Sequence, residues 1–208
     1  CINGNIGAFR SVKDFSSIVF NFFLLKYGGT TAVAAFSVIM YVDSIVGMLV
    51  FGMSDSLQPA ISYCYGAGLM DKVKALFKRI ILAAVVLSAA AGAFMYFAGP
   101  FVAPIFVKPE DTALLKVSIA GMQLFALSYL TGWVDMTFSS YFTALERPGR
   151  SLLTSFFGTL VAPIGFLFIL TPYWGLDGVW LNPLASSAVS AVFTLFLALT
   201  LKIKKADV

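Results

Sequence analysis

The chain is 208 residues long, 60% apolar and only 12% charged, with a formal charge of +4 and a mean hydropathy of +0.92. A soluble domain is about half apolar and a quarter charged; the Lys, Arg, Asp and Glu here are too few to cover the surface that a globule of this size leaves in water, so lipid is the solvent for much of it. The absence of His, with two distant thiols at Cys1 and Cys64, excludes the usual zinc ligand sets, the commonest general base and a disulfide framework.

The fourteen Lys and Arg lie between apolar segments and form no basic stripe interleaved with aromatics, which excludes a nucleic-acid partner. The chain begins at Cys rather than Met and shows no signal-peptide pattern. Residues upstream of Cys1 are expected.

Crossing about 30 Å of hydrocarbon takes roughly 20 apolar residues in a helix. Six runs qualify, at about 9–25, 31–65, 80–100, 114–145, 152–170 and 178–201. The first carries Arg10, Lys13 and Asp14 in its opening turns, and Asp14, Ser17 and Asn21 share one face at spacings of three and four. A Gly pair within 26–30 turns the chain into the second run, which is longer than the hydrocarbon requires and must tilt or extend into water. Asp43 lies at membrane depth there and is read as lining a cavity; Asp55, nearer the end, is read as exposed. At 100° per residue the two stand about 120° apart around the helix and form no pair. Cys64 is read as a packing residue.

The third run is featureless between turns at 66–72 and 104–111. In the fourth, Ser128, Thr131, Asp135 and Ser139 recur at three- and four-residue spacing along one side. Asp135 lies about 15 Å along the helix from Glu146, near mid-membrane. Helix packing through small polar residues accounts for Ser and Thr in a bilayer, but not for an acid that costs at least about 2.5 to 3.5 kcal/mol to insert. Turns at 146–150 and 171–177 flank the fifth run, and Pro59, Pro163 and Pro183 fall where they can bend helices.

The runs are continuous rather than alternating, which excludes a membrane β-barrel, and helices satisfy their own backbone in lipid. With six alternating helices, one side holds Arg10, Lys13, Lys72, Lys74, Lys78, Arg79, Arg147, Arg150, Lys202, Lys204 and Lys205, and the other only Lys26, Lys108 and Lys116. By the positive-inside rule both ends of the chain are cytoplasmic. The fold class expected is therefore an all-α membrane protein, a single six-transmembrane-helix bundle over residues 1–208.

A half-buried carboxylate such as Asp135 can bind a proton or Na⁺ reversibly, which suits an ion-coupled transporter. No Ser–His–Asp set, Walker-type loop or metal-ligand cluster is legible, so an enzyme, ATP-driven transport and a cofactor are not expected. Tyr41, Phe138 and Phe142 can offer ring faces to a cation, with packing or lipid contact as their other reading.

The ordered motifs Asn21, Gly28-Gly29, Ala32-Val33-Ala34-Ala35, Gly52, Gln58-Pro59, Tyr63-Cys64-Tyr65-Gly66-Ala67 and Lys72-Val73-Lys74, followed by Ser139-Ser140-Tyr141-Phe142-Thr143-Ala144-Leu145 and Gly175-Leu176-Asp177-Gly178-Val179-Trp180, resemble the multidrug and toxic compound extrusion (MATE) family across nearly the whole chain. Cys64, where many relatives have Asn, and the Glu146-Arg147-Pro148-Gly149 turn depart from the family pattern. The resemblance implies the C-terminal six-helix lobe of a twelve-helix antiporter of the bacterial inner membrane, working with an N-terminal lobe of the same protein and exchanging small organic cations or drugs for H⁺ or Na⁺. It implies Asp135, ten residues before Leu145, as a cation-binding carboxylate, with Asp14 as the second. Asn21, Asp43, Thr131 and Ser139 are then the expected substrate-binding polar groups. A flippase for lipid-linked glycans, of similar architecture, is the alternative, and it would need a larger and more basic groove. A non-transporting membrane scaffold would have no reason to bury Asp135.

Overall fold

The computed structural model describes residues 2–107 and 111–200, with side chains described from Phe15 onward except Phe51. The described chain is helical: α1 (Ile2–Ser56), α2 (Gln58–Gly66), α3 (Met70–Phe106), α4 (Thr112–Ala126), α5 (Tyr129–Ala144), α6 (Pro148–Phe156), a π turn (Phe157–Val161) and α7 (Ala162–Leu199). Three continuous segments are long and apolar enough to cross a membrane, and α4 with α5, bent by 54°, makes a fourth crossing.

Two of these segments are hairpins. In α1 the backbone leaves the helical region at Gly29 (φ 65°, ψ −163°), and the rings of Phe20 and Phe36 stack at 4.7 Å, although sixteen residues of straight helix would separate them by about 24 Å. In α7 the break is Gly175 (φ 53°, ψ −126°), and Asn182 Nδ2 donates to the Pro163 carbonyl at 2.8 Å. The chain therefore crosses six times, by residues 2–28, 30–56 with α2, α3, the bent α4–α5 pair, 148–174 and 176–199. Both reversals need glycine because their positive φ disfavours any residue with a Cβ.

The two reversal points touch. A Cβ built on Gly28 would stand 2.8 Å from Leu176 Cδ1 and 2.4 Å from Ala32 Cβ. Exposed Lys26, Tyr27, Tyr173 and Trp174 ring this end of the bundle, as aromatics do at a membrane interface.

The opposite end gathers the basic turns. α3 begins at Met70, nearly three turns before the apolar run at 80–100, because Lys72, Lys74, Lys78 and Arg79 extend the helix out of the hydrocarbon. Two helices end there in Schellman motifs. At α2, Gly68 (φ 70°) carries the turn, with Gly68 N–H on Tyr65 O and Leu69 N–H on Cys64 O. At α5 the same pattern runs from Glu146 N–H to Thr143 O and Arg147 N–H to Phe142 O, with Glu146 at φ 57°. Arg150 then donates to Leu197 O and to Thr200 O, closing the start of α6 onto the last turn of α7.

Two apolar clusters fill the interior. One, toward the reversal end, includes Phe23, Leu24, Ile39, Met122, Phe125 and Trp180. The other, toward the basic end, includes Ile61, Cys64, Val73, Tyr141, Phe142 and Leu145. Outside them, Phe22, Met48, Phe97, Phe101, Phe168 and Phe196 are exposed. Only 28% of the most apolar stretch of α3 is buried within the bundle, so lipid or another protein surface covers the remainder.

Candidate functional site

The polar groups lie where the two apolar clusters meet, along one face of the bent α4–α5 span. Asp135 is half-buried on α5. Thr194 Oγ1, from the last crossing, donates to its Oδ1 at 2.7 Å. A Cβ on Gly158 would stand 2.7 Å from both Asp135 Oδ2 and the buried Ser190 Oγ. The carboxylate thus rests against bare backbone in the π turn of the fifth crossing, with the Ser190 hydroxyl beside it. Three crossings converge on one acid, which among the described residues is hydrogen-bonded rather than ion-paired.

From Asp135 toward the basic end, the face continues as an antiparallel hydroxyl ladder between α5 and α6. Ser139 Oγ lies 2.8 Å from Ser151 Oγ and 2.9 Å from Ser155 Oγ, and Thr143 Oγ1 donates to Ser151 Oγ at 3.0 Å. Toward the reversal end, Thr131 Oγ1 pairs with Ser187 Oγ at 2.8 Å. Thr131, Asp135 and Ser139 therefore form one continuous polar seam. Ser128 does not join it: its hydroxyl bonds back to Phe125 O at 2.7 Å.

The other predicted residues stand apart from this seam. Asp43 accepts the Tyr129 hydroxyl at 2.5 Å. Asp55 is half-buried rather than exposed, because Ser140 Oγ reaches it at 2.8 Å. Asn21 is exposed in an apolar groove of about 350 Å³ with Ile18, Phe22, Leu25, Thr30 and Val33. The Asp14 side chain lies outside the described residues. Phe138 and Phe142 are buried in the basic-end cluster and offer no free ring face, whereas Tyr41 is exposed and stacked on Phe106.

Sequence reasoning missed the partners: Tyr129, Ser140, Gly158, Ser190 and Thr194. One signal was available. Ser151, Ser155 and Gly158, and likewise Ser187, Ser190 and Thr194, repeat the spacings of three and four that marked α5, so each presents a matching face. Nothing local in the sequence couples those faces to Asp135.

A six-crossing helical bundle with an interior acid held by a hydroxyl defines a polytopic membrane protein. The MatE family model matches residues 12–169, and the chain belongs to that family. It is 24% identical over 193 residues to the multidrug export protein MepA of Staphylococcus haemolyticus, covering 90% of this chain and 40% of that protein, and 22% identical over 197 residues to MepA of Staphylococcus aureus, covering 92% and 41%. Among solved structures it is similar to an outward-facing multidrug resistance MATE family transporter of the MOP superfamily, with a TM-score of 0.85, 22% identity, and 91% of this chain covering 43% of that one. It is also similar to a MATE structure in a bent conformation, with a TM-score of 0.79, 24% identity and coverage of 93% and 43%. The chain spans about two-fifths of the length of these relatives.

Proposed function

We propose that the chain is the C-terminal lobe of a secondary active antiporter of the bacterial inner membrane, exporting small organic cations or drugs in exchange for H⁺ or Na⁺, with its basic turns in the cytoplasm. Asp135 is the group that takes up and releases the coupling ion. The observation that carries this reading is the Asp135 carboxylate at the junction of three crossings, with Thr194 on one oxygen and the bare Gly158 backbone beside the other. An acid so placed has hydroxyls to orient it and, among the described residues, no fixed positive charge to neutralise it, so a mobile cation can fill that role. The N-terminal lobe supplies the opposing wall, as the partial coverage of the relatives suggests, and alternating access runs between the lobes. Thr131 and Ser139 keep the α5 seam polar on either side of the acid.

The test is Asp135→Asn in the intact transporter reconstituted in liposomes, with flux of a fluorescent organic cation followed under an imposed proton or sodium gradient. Gradient-driven export falls at least about tenfold, while the protein elutes as a folded monodisperse species. Export and coupling both retained in the variant would refute the assignment of Asp135.

A further inference from the structure

The span that carries Asp135 is bent by 54° between Ala126 and Tyr129, and neither Pro nor Gly lies in the bend segment Ala126-Leu127-Ser128-Tyr129. Sharp kinks have identifiable causes. Here the backbone tightens to i→i+3 bonds, with Leu127 N–H on Leu124 O, Ser128 N–H on Phe125 O and Leu130 N–H on Leu127 O, a pattern that marks hinges when it occurs within a helix. The Ser128 hydroxyl competes for the Phe125 carbonyl, which also bends helices. Gly92 of α3 comes so close that a Cβ there would stand 3.2 Å from Ala126 O and 3.3 Å from Tyr129 Cβ. These features permit a bend; none reaches across to the second crossing. At the bend itself the bond that does is Tyr129 Oη to Asp43 Oδ1, 86 residues apart in sequence and 2.5 Å in space; the Ser140–Asp55 bond ties the same two crossings farther along α5.

We infer that the Tyr129–Asp43 hydrogen bond is the latch that holds this span bent, and that Asp43 thereby sets where Asp135, six residues beyond Tyr129, stands in the bundle. A bond to a carboxylate is among the stronger neutral-to-charged contacts, and it fastens the hinge to a neighbouring crossing. Loss of this bond releases Tyr129 and lets the span straighten, which moves Asp135. Tyr129 is a positioning residue, acting on the ion only through the angle of α5. The transport consequence rests on the proposed role of Asp135; the hinge itself does not.

The test uses spin labels at the exposed positions Ala113 and Met136 of the intact protein in lipid nanodiscs. At 1.5 Å rise per residue, straightening a 54° bend lengthens this separation by about 3 Å. Tyr129→Phe, which keeps the ring packing against Phe125, and Asp43→Ala both move the mean distance toward the straight value. Asp43→Asn, whose amide oxygen still accepts the hydroxyl, holds it at the wild-type value. Turnover in Tyr129→Phe falls about tenfold, in line with loss of a bond to a charged acceptor, and apparent KM for the cation does not rise. An unchanged distance in Tyr129→Phe overturns the latch. Asp135→Asn leaves the distance at the wild-type value, so export retained in that variant would remove the proposed coupling residue while leaving the hinge result intact.

Discussion

Gly158 shows how little separates a buried acid from a clash. Its missing side chain is the space in which Asp135 Oδ2 and Ser190 Oγ sit, each 2.7 Å from where a Cβ would be, and the π turn around it brings the fifth crossing that close. Gly158→Ala overpacks the junction and is expected to lower unfolding stability by about 1 to 3 kcal/mol. It also drives the carboxylate off Thr194, so gradient-driven export drops along with the denaturation midpoint in mild detergent; a variant with wild-type midpoint and export would show that the three crossings are not packed as described. The stripe containing Asp135 could be read from spacing alone, because a helix repeats its faces every three or four residues. Thr194 and Ser190 could not, because a pairing 59 residues distant is decided by how the last crossing rotates against the fourth. Asp55 illustrates the same limit: near the end of an apolar run it reads as solvated, yet Ser140 on another crossing takes it up.

At the scale of the element, the ends and breaks of helices divide into those written in local chemistry and those imposed from elsewhere. Gly28-Gly29 and Gly175 mark reversals that hydropathy and glycine content already indicate, and the positive φ at Gly29 and Gly175 supplies the reason. α3 is longer than its apolar run, since charged turns extend a helix into water without any hydropathy signal. The break at 126–129 has no such mark, for its causes are a hydroxyl, a neighbouring glycine and a carboxylate on a different crossing. The Glu146 turn is a third case. It occupies the left-handed position of a Schellman motif where glycine is the common choice, as at Gly68 of α2. A side chain in that region costs roughly 1 to 2 kcal/mol. Glu146→Gly should therefore stabilise the protein by about 1 kcal/mol, measured as a higher thermal midpoint in detergent, and a lowered midpoint would mean that the Glu146 side chain makes a contact worth more than the strain.

For the molecule as a whole, charge and geometry point to the same vertical axis. The reversals at Gly29 and Gly175 meet at one end, and the turns bearing Lys72, Arg147 and Arg150 belong to the other, around the cluster that joins Ile61, Val73 and Leu145. With the native cysteines replaced, Lys72→Cys at its exposed position is expected to react with a membrane-impermeant maleimide only from the cytoplasmic face, and Asp177→Cys, also exposed, only from the outside. Labelling of both from one face would contradict an arrangement of six crossings, and the reverse sidedness would contradict the orientation proposed from charge.

The grip of Arg150 on the far end of the chain carries a consequence for how short the protein can be made. Its guanidinium holds Leu197 and Thr200, three and six residues beyond the Thr194 hydroxyl that steadies Asp135. Cutting the sequence just after Thr194 would spare the hydroxyl that bonds the acid and still unfasten the helix that presents that hydroxyl, so the smallest version able to keep the carboxylate in place must reach Thr200.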